Sequence, residues 1–145
     1  PVSGELVHLE NTNDPAFSSR AVGDGVAVVP QEGMVCAPVS GTVAALFPTE
    51  HALGIMSDDS SAQVMLHIGI DTVKLEGKGF HALVAQGDHV DAGQPLVEVD
   101  FDAVRAAGFD PTVFVIVCER SENSTLREHA SGPVAVKEPV VWLSE

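Results

Sequence analysis

Two histidines, His51 and His67, stand on either side of a segment built for a turn. Ser57-Asp58-Asp59-Ser60-Ser61 holds no apolar residue and carries side chains that close turns through local hydrogen bonds. The flanking runs, Ala52 to Met56 and Val64 to Ile68, suit strands. Pairing Met56 with Ala62 across the turn sets His51 directly opposite His67. Both side chains then share one face, with Cβ atoms about 4.5–5.5 Å apart. Alternation agrees, because Val64, Leu66 and Ile68 fall on one face and Met65 and His67 on the other. A slip of one residue would put the rings on opposite faces.

Two imidazoles at that spacing suit phosphoryl transfer. One neutral ring can attack phosphorus through an unprotonated nitrogen, while the second donates hydrogen bonds to the phosphoryl oxygens. A reference pKa of about 6.5 lets either ring take either state near neutrality. Phosphoryl transfer asks a protein mainly for positioning and charge stabilisation, and apolar surroundings keep water from the P–N bond. The spacing by itself also fits two unrelated histidines of a core or surface.

The elements that must position these rings are short apolar runs broken by Gly, Pro and Asp. Val26 to Val29, Gly33 to Val39, Thr42 to Phe47, Ala52 to Met56, Val64 to Ile68, Pro95 to Val99, Thr112 to Val117, Val134 to Val136 and Val140 to Leu143 read as strands. The chain also opens in what reads as the middle of a strand. One helix is expected, Phe101 to Ala107, with Asp102 near its start and Gly108 as its stop. The polar stretch from Arg120 to His129 reads as a loop or helical turn. The fold class is all-β, a sandwich or barrel with short helical turns. Ala37-Pro38-Val39-Ser40-Gly41-Thr42-Val43 echoes the opening Pro1-Val2-Ser3-Gly4-Glu5-Leu6-Val7, and each copy predicts a Ser-Gly turn leading into a strand.

Length and composition set outer limits. The 145 residues, 45% hydrophobic, suffice for one domain with one core, spanning 1–145. There is no signal-peptide pattern at the start and no run of about 20 apolar residues. Twenty-one acidic residues against seven basic ones give a net charge of -14, which makes nucleic acid a poor partner and a basic protein a plausible one. Cys36 and Cys118 each lie in an apolar run with no second cysteine at metal spacing, so both are expected to be buried, reduced thiols in a reducing compartment.

Phe47-Pro48-Thr49-Glu50-His51-Ala52-Leu53-Gly54-Ile55, then Leu66-His67-Ile68-Gly69-Ile70-Asp71-Thr72-Val73, then Glu76-Gly77-Lys78-Gly79-Phe80, closely resemble the glucose-type enzyme IIA family. That family belongs to the bacterial phosphoenolpyruvate-dependent sugar phosphotransferase system, and the likeness covers nearly the whole chain. The resemblance implies an antiparallel β-sandwich and a phosphohistidine intermediate. It makes His67 the phosphoryl acceptor and His51 the phosphate stabiliser, with Thr49 orienting His51 and the Gly69 carbonyl fixing the tautomer of His67. Asp71 falls at an acidic rim that faces partner arginines. Phe17, Ala21, Val22, Phe47, Leu53 and Met65 match an apolar ring that partners cover. The implied donor is the phosphocarrier HPr and the implied acceptor the cysteine of an enzyme IIB domain. Some members of the family also bind regulatory targets, and the resemblance implies a cytoplasmic location with the membrane reached only through the permease. No cofactor is required, although the family allows an incidental zinc ion on His51 and His67.

Three departures from the family stand out. The loop between the histidines is one residue longer than usual, and ring positions that are often larger are Ala21 and Met65. The family's amphipathic N-terminal tail is absent, as in a trimmed chain or the IIA domain of a fused permease.

Two other functions compete. Gly87-Asp88-His89-Val90-Asp91-Ala92-Gly93-Gln94-Pro95-Leu96 also occurs as a structural turn in biotinyl and lipoyl carriers, but Lys74, Lys78 and Lys137 lack the flanks of a modified lysine. A zinc hydrolase of related endopeptidase architecture could use His51, His67 and Asp71, yet the ligand motifs of those peptidases are missing. His8, His81, His89 and His129 are expected at the surface.

Overall fold

Alternation along the chain explains most of what folds as strand. A computed structural model describes residues 2–12, 14–19, 23–58, 62–120, 125–128, 132–134 and 141–144. Its strands are β1 Gly4–His8, β2 Asp24–Pro30, β3 Met34–Cys36, β4 Gly41–Leu46, β5 Ala52–Ser57, β6 Ala62–Ile68, β7 Phe80–Ala82, β8 His89–Val90, β9 Pro95–Val99, β10 Val113–Arg120, β11 Thr125–Glu128, β12 Gly132–Val134 and β13 Val141–Ser144. The helices are α1 Pro15–Ser18 and α2 Phe101–Ala106, with 3-10 turns at Leu9–Asn11 and Thr72–Leu75.

All strand pairings among the described residues are antiparallel. Eight strands form one sheet in the order β12-β1-β2-β10-β6-β5-β4-β8, and a smaller sheet runs β3-β9-β7. The main core lies between them, where Val26, Val28, Leu53, Ile55, Leu66, Ile68 and Val115 of the large sheet meet Val35, Leu96, Val97 and Val99 of the small one. That is the antiparallel all-β sandwich with short helical turns expected from the sequence. The strand β6 holds a central place, and its burial alternates as predicted, with Val64, Leu66 and Ile68 inward and Met65 and His67 less buried.

The hairpin register differs from expectation. Ala52, not His51, stands opposite His67, and Met56 pairs with Gln63. Ser57 belongs to β5, and its side-chain oxygen accepts the Ala62 N–H at 3.1 Å. The connection is therefore residues 58–61, one shorter than a five-residue loop.

Other differences have local causes. The segment Thr125–Glu128 is a strand rather than a loop or helical turn, because β13 supplies a partner that the polar sequence does not announce. The strand expected over Gly33–Val39 is only Met34–Cys36; its register against β9 shifts after Val35, and Pro38 follows. The helix α2 is capped by Asp100, whose carboxylate accepts the Ala103 N–H at 3.0 Å, and it stops before Gly108. Cys36 is buried as expected, whereas Cys118 is exposed. The irregularity between Val117 and Glu119 takes Cys118 off the strand's alternation. Residues 135, 136 and 140, within two of the predicted strands, lie outside the described residues.

The sequence echo has a structural counterpart. Gly4 and Gly41 each open a strand, and a Cβ on either would overlap the partner strand's carbonyl, that of Val29 or Met56. Each preceding serine carbonyl accepts an N–H from the residue beyond that partner strand: Ser3 from Gln31 at 2.8 Å, Ser40 from Asp58 at 3.1 Å.

Candidate functional site

The outer face of the large sheet carries a second, smaller apolar cluster of Leu9, Phe17, Ala27, Phe114 and Ile116, with Val7, Met65 and Ile70 against it. Cross-strand pairing builds its floor: His67 lies between Ala52 of β5 and Phe114 of β10, and Phe114 in turn faces Ala27. The small Ala52 and Ala27 leave the space that the rings occupy. Helix α1 closes one side. Four residues do not form a stable helix alone; this one starts at Asp14-Pro15, whose proline suits a first helical position. Asp14 accepts the Phe17 and Ser18 N–H groups at 3.1 and 2.8 Å through its carbonyl. Phe17 then stacks on Phe114 with centroids 4.3 Å apart and an interplanar angle of 21°. Such a pair contributes about 0.5–1.5 kcal/mol beyond the burial of its area. Phe17 also reaches His67 at 5.3 Å.

His51 meets His67 by a route that strand alternation does not supply. It sits in the turn between β4 and β5, just ahead of Ala52, and its carbonyl accepts the Ile68 N–H at 2.7 Å. Glu50 before it is left-handed, with φ 62, and the turn closes as the Glu50 N–H donates to the Phe47 carbonyl at 2.8 Å. That break in alternation lets the side chain of His51 point to the face of His67 despite the shifted register. The rings stand edge to face, centroids 5.2 Å apart and planes at 87°. Thr49 Oγ1 lies 2.5 Å from His51 Nδ1. Phe47 flanks the other side of His51 at 5.5 Å, also edge-on.

The electrostatics favour neutral rings. Burial lowers the pKa of both, and the neighbouring charge of His67 lowers that of His51 further. For His67 the Gly69 carbonyl works against burial, followed by the charges of Asp14 and Asp71, but the net direction is down. His67 Nδ1 is buried and makes no hydrogen bond of ordinary geometry, although the Gly69 carbonyl is near enough to raise the ring's basicity. His51 is only 3% exposed and His67 is partly open, so His67 is the more reachable ring.

The expected ring residues divide. Phe17 and Met65 surround the histidines, and Phe47, 49% exposed, stands at the rim. Asp71 is exposed and left-handed at φ 60, ahead of the 3-10 turn. Leu53 does not belong there: it is 1% exposed in the main core, opposite Leu66, because the true register turns it inward. Ala21 and Val22 lie outside the described residues. Sequence reasoning missed Phe114 and Asp14. The Asp-Pro pair was a legible helix start, whereas nothing local ties Phe114 to His67.

Among the other histidines, His81 and His89 are exposed as expected, and His8 is half-buried. His129 is outside the described residues. His89 Nε2 lies 3.0 Å from an Asp58 carboxylate oxygen, which raises its pKa. Asp88 is structural, its carboxylate accepting the Ala85 N–H at 2.8 Å.

A family profile matches residues 1–123, and its description is the phosphoenolpyruvate-dependent sugar phosphotransferase system, EIIA 1. The chain belongs to that family. It is thus an EIIA-type component of a phosphotransferase system for sugars. Among its relatives, the PTS system glucose-specific EIICBA component of Streptococcus pneumoniae is 43% identical over 137 residues, covering 94% of this chain and 19% of that protein. The PTS system beta-glucoside-specific EIIBCA component of Bacillus subtilis is 42% identical over 144 residues, covering 99% and 24%. The EIIA chain therefore spans about a fifth to a quarter of the length of these relatives. The solved glucose permease IIA from Mycoplasma capricolum superposes with a TM-score of 0.89 at 34% identity, covering 97% of this chain and 90% of that one. The hydrolase alternative finds no support: the family is one of phosphotransferases, and among the described residues no three His, Cys, Asp or Glu side chains are grouped to hold a metal ion. Among the described residues, no helix is long and apolar enough to cross a membrane.

Proposed function

We propose that His67 takes a phosphoryl group from the phosphohistidine of HPr and passes it to the cysteine of an enzyme IIB domain. The observation that carries this reading is the edge-to-face pair of a partly open His67 and a closed-off His51 held by Thr49. A neutral His67 attacks phosphorus through Nε2, since Nδ1 is the buried nitrogen. The P–N bond to the donor breaks as the new one forms. In the second step the IIB thiolate attacks, and the P–N bond to His67 gives way to a P–S bond. With the Thr49 hydroxyl donating to Nδ1 of His51, the ring's proton stays on Nε2 and faces the phosphoryl oxygens. The apolar cluster of Phe17, Phe114 and Met65 limits water at the P–N bond.

Both partners must reach His67, so both cover the same depression, with Phe47 at its rim and their arginines near Asp71. The domain works at the cytoplasmic side, as one part of a fused permease or as a separate carrier. Regulatory targets would use this same patch. No cofactor enters either step; an incidental zinc ion would find two imidazole nitrogens here and need further ligands from a partner.

The test is transfer of labelled phosphate from phospho-HPr. The chain should be labelled stoichiometrically and His67→Ala not at all. Full labelling of His67→Ala would overturn the assignment.

A further inference from the structure

The segment after His67 contains a buried hydroxyl that the steps above leave unused. Thr72 is fully buried and opens the 3-10 turn Thr72–Leu75. Its hydroxyl donates to the carbonyl of Ile68, the residue next to His67. Its methyl lies against the Cα of Gly69, where an added Cβ would overlap it and would sit 3.0 Å from the Asp110 carbonyl oxygen. Gly69 itself is left-handed at φ 81, so both the conformation and the close approach require glycine.

The same peptide is held from the other side. The Gly69 N–H donates to the Thr112 carbonyl at 2.8 Å and the Ile70 N–H to the Asp110 carbonyl at 2.9 Å. Asp110 in turn accepts the Thr112 N–H at 2.9 Å and its hydroxyl at 2.5 Å. Asp71, immediately before Thr72, is fixed by the same fold of the chain, its carbonyl accepting the Lys74 N–H at 3.0 Å.

We propose that Thr72 is a positioning residue for His67: its hydroxyl clamps the Gly69–Asp71 loop, so that the Gly69 carbonyl faces His67 Nδ1 and Asp71 stays at the rim. The inference rests on His67 being the phosphoryl acceptor. A proton kept on Nδ1 leaves Nε2 free to attack, and a loosened Gly69 peptide lets part of the population carry it on Nε2, where the ring cannot attack. A purely structural Thr72 would satisfy the Ile68 carbonyl at the strand end and leave the His67 tautomer untouched.

The experiment is nitrogen NMR of the imidazoles in the unphosphorylated full chain, at a pH where His67 is neutral. Wild type and Thr72→Ser, which keeps the hydroxyl, should show one His67 tautomer. Thr72→Val, which loses only the hydroxyl, should show a mixture, with labelling from phospho-HPr slowed roughly 5- to 10-fold, the scale of one lost hydrogen bond. If Thr72→Val does not fold, Thr72→Ala takes its place. A hydroxyl-free variant with the wild-type tautomer overturns the proposal, and so does a serine variant that behaves like the hydroxyl-free one. If wild-type chain takes no label on His67, it is the phosphoryl reading that fails, since the tautomer comparison needs no phosphate.

Discussion

Thr49 contacts His51 at Nδ1, and a hydroxyl there can either donate or accept. Only donation leaves the His51 proton on Nε2, the nitrogen that meets a phosphoryl oxygen in the proposed transfer. Thr49→Val should therefore keep His67 chargeable while slowing onward transfer to IIB roughly 2- to 10-fold, as suits one neutral hydrogen bond. His51→Gln removes the ring itself and should slow that transfer by about 10²-fold, the usual scale for a lost donor to developing charge. Rapid-quench measurement of both half-reactions checks this. If His51→Gln blocked charging as severely as discharge, His51 would be acting in both steps rather than chiefly on the departing phosphoryl group.

At the scale of elements, three glycines in strands separate packing from function. Gly4 and Gly41 open strands where a Cβ would run into a partner carbonyl, whereas a Cβ on Gly54 meets no atom within 4 Å. Gly54 pairs with Met65, on the face of the histidines. Gly4→Ala and Gly41→Ala should each destabilise by about 1–3 kcal/mol, the cost of forced overpacking. Gly54→Ala should be neutral, or stabilise by up to about 1 kcal/mol through the unfolded chain. Urea midpoints at constant m-value decide it. Equal losses at all three positions would mean that chain flexibility, not the carbonyl contact, sets the requirement. The two Ser-Gly strand openings were visible in the sequence as an echo, but which carbonyl each glycine must admit depends on strands far along the chain.

For the whole molecule, the histidine pair links stability to pH. Both rings have folded pKa values below their unfolded value of about 6.5. Their contribution is full above that value and is lost as pH falls through the lowered folded values, because the unfolded chain binds protons first. His89 works in the opposite sense: Asp58 raises its pKa, so its contribution is present below about 6.5 and fades as pH rises through the raised value. That ring is exposed, and solvent screening keeps its share small. Chemical denaturation from pH 8 to pH 5 should show stability declining on the acid side, with a shallower decline in a His51→Gln, His67→Gln double variant. Parallel curves for the two proteins would show that the pair is not held neutral by the fold.

The histidines of the candidate site stood out in the sequence by their spacing around a turn, and Thr49, Gly69 and Asp71 through the family resemblance of the segments that hold them. His51, His67, Thr49, Gly69 and Asp71 stand in two short motifs, and the alternation of β6 placed His67 and Met65 on one face as the structure has them. Strand-rich composition likewise announced the all-β class. The register of the β5–β6 hairpin was not legible, since Ser57 could end the strand or open the loop, and its bond to the Ala62 N–H settles the choice only after the sheet forms. That single step moved Leu53 into the core. It would have parted the two rings, had the left-handed Glu50 not turned His51 back toward His67. Phe114 beneath His67, Phe17 above Phe114 and the carbonyls that grip Gly69 come from separate stretches of chain. Local propensity acts over a few residues, and only the folded sheet brings such groups within a few ångströms of one another.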